Sequence, residues 1–193
     1  MGVPFLAAVM ARRSPRRRAY RDIGQDKELP GKTNTDNQQQ WERRIMTSNT
    51  VRLHRVLRAP PERVYRAFLN ADALAKWIPP NGFTGTVHHM EAVVGGTFRM
   101  SFTNFTTGNS HSFGGEYLEL VPNELIRYTD EFEDPKLPGV MQVTLSLKAV
   151  SCGTELNVVQ EGIPEVIPVE MCYLGWQDSL VLLAKLVEPE IRE

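Results

Sequence analysis

Two cysteines, four histidines and a net charge of −1 are sparse holdings for 193 residues, and each scarcity removes a class of protein. Cys152 and Cys172 could close one bridge at most, so the chain is no disulfide scaffold, and reduced thiols in a cytoplasmic protein are expected. The histidines show neither Cys-x-x-Cys nor His-Glu-x-x-His spacing, and His88 and His89 point to opposite faces if they share a strand, so no metal site is expected. Phosphate loop, dinucleotide fingerprint and nucleophile elbow are all missing, which predicts no cofactor and gives hydrolytic or nucleotide-driven catalysis no motif to rest on. Nor does any apolar run approach the roughly 18 residues that cross a bilayer, so no membrane partner is expected.

The small net charge hides a split. Residues 1 to 46 carry ten Lys/Arg against five Asp/Glu, and the remainder carries twelve against eighteen. An acidic main body argues against nucleic acid, whose phosphates need a concentrated basic face. The basic segment is dense in arginine from Arg12 to Arg21 and polar from Asp22 to Gln40, too poor in apolar surface to offset its ordering entropy. Residues 1–46 are therefore predicted to be a disordered extension, with residues 47–193 as the one folded domain. A secretory signal has its charges before its apolar stretch, the reverse of Val3 to Arg21, whereas a transit peptide fits the arginines but not the short apolar stretch. A basic anchor for acidic partners is a third use of such a segment. The remaining expectation is that Met46 is the native start. Codons allowed for Glu42, Arg43 and Arg44 can spell a purine-rich GAGAGGAGG just upstream.

After Met46 the pattern becomes regular. Thr50 to Leu57 alternates as a strand, Pro60, Pro61 and Glu62 open a helix to about Leu69, and Asn70 can cap a second short helix to Trp77. Pro79 and Pro80 stop that helix. Six candidate strands follow, 83–92, 97–104, 111–121, 125–133, 140–150 and 154–161, separated by Gly, Pro and Asn-rich turns as in an antiparallel meander. A long helix from about Pro168 to Glu190 closes the chain, with Trp176, Leu180, Leu183 and Val187 at helical spacing. A curved sheet can bury the apolar stripe of one such helix while the short helices plug an end. The run from Trp77 through Pro79, Pro80 and Phe83 to Gly95 and Gly96 has the make-up of a cavity rim.

These residues carry a resemblance. Ala59, Pro60, Glu62, Val64, Tyr65 and Ala67, then Trp77, Pro79, Gly82 and Phe83, then Val94, Gly95 and Gly96 occur in the order seen in the START-like, or SRPBCC, superfamily. Gly115, Tyr117, Glu119, Pro122, Glu124, Gly153, Thr154, Leu156, Gly162, Gly175 and Trp176 continue it. From about Thr50 to Glu190 the chain is similar to the branch related to the C-terminal domain of the activator of Hsp90 ATPase. The resemblance implies an α+β helix-grip fold, a curved antiparallel sheet of about seven strands around a long C-terminal helix. It further implies a small hydrophobic or aromatic ligand held between helix and sheet, because relatives bind such molecules, and some cyclise polyketides. A few relatives stimulate Hsp90; the extra client-facing domain of such activators has no counterpart in residues 1–46, so a chaperone partner is not expected. A homodimer is compatible with the pattern. Fold alone does not decide function.

One departure bears on chemistry. Where the branch often reads Leu, Val, Tyr, Thr, Trp, this chain reads Ile126, Arg127, Tyr128, Thr129, Asp130, and alternation puts Asp130 on the face of Ile126 and Tyr128. Candidate apolar surface for a ligand comes from Trp77, Phe98, Met100, Phe102, Tyr117, Met141, Val158, Trp176 and Leu180, all of which would serve equally as core. Tyr128, Asp130 and Gln160 would orient the ligand, Gln160 because an amide on an apolar face requires partners. The other titratable candidates are His88, His89, Glu91, His111 and Glu161. With a histidine nearby, Asp130 would suit acid/base work on an enolisable carbonyl, the rival to plain binding. An ordinary carboxylate there would be solvated, or paired with Arg99 or Arg127.

Overall fold

A computed structural model describes residues 49–191. The expected extension, 1–46, lies outside them. Seven strands form one antiparallel sheet in the order β1-β7-β6-β5-β4-β3-β2. They are β1 Val51–Leu57, β2 Phe83–Met90, β3 Thr97–Asn104, β4 Ser110–Val121, β5 Leu125–Phe132, β6 Val140–Val150 and β7 Gly153–Glu161. Between β1 and β2 lie α1 Pro61–Leu69 and α2 Ala71–Trp77, and the chain ends in α3 Val169–Val187. This is the helix-grip arrangement: a curled sheet with one long helix across its concave face and two short ones at its end.

Local chemistry sets the element ends. Pro61 takes the first position of α1, where its missing N–H is no loss. Asn70 ends α1 and starts α2, its side-chain oxygen accepting from the Ala73 N–H at 2.8 Å. Pro79 and Pro80 prevent continuation past Ile78. α3 stops at Val187, short of the expected Glu190, with Pro189 two residues on.

The inner stripe of α3 is Cys172, Gly175, Trp176, Ser179, Leu180, Leu183, Ala184 and Val187, all buried against the sheet and the short helices. Its C-terminal end is tied down by Arg63, which donates to the Val187 carbonyl at 3.0 Å. Near its middle, the Ser179 hydroxyl lies 2.6 Å from the Ile78 carbonyl, fixing the segment after α2.

Two irregularities shape the sheet. In β2 the register jumps between Val87 (opposite Met100) and His89 (opposite Arg99), so His88 is an extra residue. Strict alternation placed His88 and His89 on opposite faces. The bulge corrects this: His88 bonds the Ser101 hydroxyl at 2.9 Å and both histidines are exposed, so neither enters the concave side. In β4, Gly115 sits where an added Cβ would collide with the Thr129 carbonyl of β5, so only glycine lets these strands close together.

Candidate functional site

Between α3, α2 and the sheet lies a cavity of about 130 Å³. The strands beneath it form rows of cross-strand neighbours, of which Val143 and Met141 do not border the cavity. The first row runs Gln160, Val143, Tyr128, Tyr117 across β7, β6, β5 and β4. The second holds Met141 and Asp130, with Gly115 and Phe98 continuing on β4 and β3. The third is Phe132, Phe113, Met100, and the fourth pairs His111 with Phe102. Phe68, Leu74, Ile78 and Pro80 close one side, Leu137 another, and Cys172, Gly175, Trp176 and Ser179 of α3 form the roof.

Aromatic rings dominate. Phe98 meets Tyr128 edge to face at 5.5 Å and Tyr117 at 5.6 Å, while Phe113 contacts both Phe102 (4.8 Å) and Phe132 (6.4 Å). The polar groups are few. Gln160 is buried: its Oε1 accepts from Trp176 Nε1 at 2.8 Å, and its Nε2 donates to the Met141 sulfur at 3.3 Å. The amide thus closes a network and borders the cavity as well.

Asp130 is different. Its Oδ1 is buried with no hydrogen-bond partner among the described residues. Neither expected arginine reaches it: Arg99 holds Glu133 at 2.9 Å and Arg127 holds Glu119 at 3.1 Å. The residue as a whole is half-buried; withdrawal of its carboxyl from water in this apolar surround, helped by the Glu131 charge, pushes it up to about 7. Desolvation first, and the Asp130 charge second, raise the Tyr128 phenol well above its ordinary value and the Cys172 thiol to about 11. Tyr117 is raised by burial alone.

The only histidine lining the cavity is His111, two rows from Asp130, or roughly 13 Å along the strands at 3.3 to 3.4 Å per residue. Burial lowers its basicity, Asp134 partly opposes that, and its Nε2 is also buried without a partner among the described residues. Asp130 therefore has no histidine beside it.

Of the residues singled out in the sequence, Phe98, Met100, Phe102, Tyr117, Tyr128, Asp130, Gln160 and Trp176 line this one cavity. Trp77, Met141, Val158 and Leu180 do not. Trp77 is fully buried, its indole N–H on the Ala67 carbonyl at 2.8 Å and its ring against Phe68 at 4.7 Å, so it welds α1 to α2. Val158 and Leu180 are core, and Met141 acts through Gln160. Glu91 lies beyond β2 and Glu161 pairs with Arg52 at 3.7 Å, both away from the cavity. Phe113, Phe132, Leu137 and Phe68 were missed. The first two extend the alternation of Tyr117 and Asp130; Leu137, in the turn after β5, carries no periodic signal.

Among the described residues no group of His, Cys, Asp or Glu could hold a metal, and no helix is long and apolar enough to cross a membrane.

Residues 58–188 match the family model described as Activator of Hsp90 ATPase homolog 1-like protein. A crystal structure of a protein from Chromobacterium violaceum is 62% identical, with a TM-score of 0.73, covering 74% of this chain and 99% of that one. Proteins from Rhodobacter sphaeroides (21% identity, TM-score 0.63, 70% and 90% covered) and Staphylococcus epidermidis (21%, 0.63, 76% and 95%) share the fold. A search of curated proteins finds no match.

Proposed function

Because this chain belongs to the Activator of Hsp90 ATPase homolog 1-like family, we propose that it binds a small, largely apolar molecule carrying one ring, inside the cavity between α3 and the sheet. The observation that carries this reading is the lining itself: a largely aromatic cavity of about 130 Å³ interrupted by a few convergent polar groups. An apolar cavity of about 150 Å³ holds benzene, which sets the scale.

The chaperone-activating role in the family name is not extended to this chain. That role needs a docking surface, whereas the aromatic side chains described above line a cavity. Native mass spectrometry of freshly purified protein tests the binding reading. The expected result is a small mass that co-purifies and is released on denaturation, or stabilisation by millimolar benzyl alcohol. A bare protein that benzyl alcohol does not stabilise would overturn it.

One observation favours a second reading. A carboxyl held at about 7 inside a cavity suits general acid/base chemistry near neutral pH. It predicts turnover of an enolisable carbonyl compound, lost in Asp130→Asn while affinity persists; a compound that binds but is returned unchanged argues for binding alone.

A further inference from the structure

The unpartnered carboxyl defines what kind of ring the cavity selects. Asp130 has no counter-ion among the described residues: no Lys or Arg lines the cavity, and Arg99 and Arg127 are engaged with Glu133 and Glu119. Its surroundings are π-systems, with Tyr128 in the adjoining row, Phe98 two strands away in the same row and Trp176 on the roof. By the register of β4 on β5, the cross-strand position falls at Gly115, which places no side chain over the carboxyl.

An unpaired carboxylate beside aromatic faces matches one ligand chemistry better than others. A neutral hydroxyl would satisfy one lone pair and leave the charge uncompensated. A protonated amine supplies the missing charge, donates to the carboxylate and rests against ring faces that attract cations. We propose that the cavity takes an amine borne on a single aromatic ring, its ammonium on Asp130 and its ring among Phe98, Phe113, Tyr128 and Trp176. This rests on the binding reading above and names its ligand class.

The test is calorimetric titration of the full chain at pH 8.5 with benzylamine and with benzyl alcohol, which is nearly isosteric and neutral. Benzylamine is expected to bind about tenfold tighter or better, and Asp130→Asn to erase that advantage while keeping affinity for benzyl alcohol. Equal affinities in the wild type, or an advantage that survives in Asp130→Asn, would overturn the inference and leave the binding reading standing. Binding of neither compound would overturn both.

A second measurement needs no variant. In the wild type, the amine-to-alcohol affinity ratio is expected to fall at least several-fold from pH 8.5 to 5.5 as Asp130 takes a proton. Among the groups facing it, Tyr128, Tyr117 and Cys172 stay protonated over that range. Glu131 lies on the exposed side of β5, and His111 stands two rows away. A ratio that does not change with pH would overturn the inference.

Discussion

Trp176 of α3 donates its indole N–H to Gln160 of β7 across 2.8 Å of buried space, and this bond fastens the roof of the cavity to its floor. Removing the acceptor alone leaves a buried donor unsatisfied. Gln160→Leu is therefore expected to lower unfolding free energy by about 1–3 kcal/mol in a denaturant titration. Trp176→Phe should do likewise, and the double variant should lose less than the two singles combined, since neither orphan remains. Strict additivity would show that the bond contributes nothing.

Trp77 separates folding from binding. It is fully buried yet does not border the cavity, so Trp77→Ala should cost about 3–5 kcal/mol of stability. Any protein that remains folded should bind benzyl alcohol nearly as well as wild type. A variant of normal stability that has lost binding would place the indole at the ligand after all.

Gly115→Ala tests the closeness of β4 and β5. The new methyl meets the Thr129 carbonyl, a backbone atom that cannot swing aside. Destabilisation of about 3 kcal/mol or more is expected from thermal or chemical melting. A neutral effect would mean that the strands lie further apart than described.

How much of this was legible beforehand depends on the residue. Alternation from Ile126 and Tyr128 placed Asp130 on the concave face because β5 runs without interruption from Leu125 to Phe132. The same rule continued by one step yields Phe132, and applied to β4 it yields His111 and Phe113 beside Tyr117. It failed at His88, where the extra residue of a bulge breaks the period. Trp77 looked like a rim because it precedes two prolines; that its ring turns inward depends on Phe68 and the Ala67 carbonyl, a contact between two helices that no local pattern encodes. The Gln160 to Trp176 bond is likewise tertiary. Sequence could say that the amide needed a partner but not which one.

Asp130 makes the sharpest claim about pH. Its carboxyl sits at about 7 in the folded protein against 3.8 ordinarily, so the folded state holds the proton more tightly than the unfolded chain. The sign follows: stability from this group is greatest below pH 3.8, declines as pH rises from there, and the full penalty is present above about pH 7. Asparagine keeps the shape and never ionises. Asp130→Asn should therefore raise stability at pH 8, by an amount on the order of a few kcal/mol, and raise it much less at pH 4.5. Paired melts of wild type and variant at the two pH values measure this directly. A gain of equal size at both would locate the effect in packing rather than in charge, and a loss at pH 8 would mean that the folded protein supplies the carboxylate with a partner.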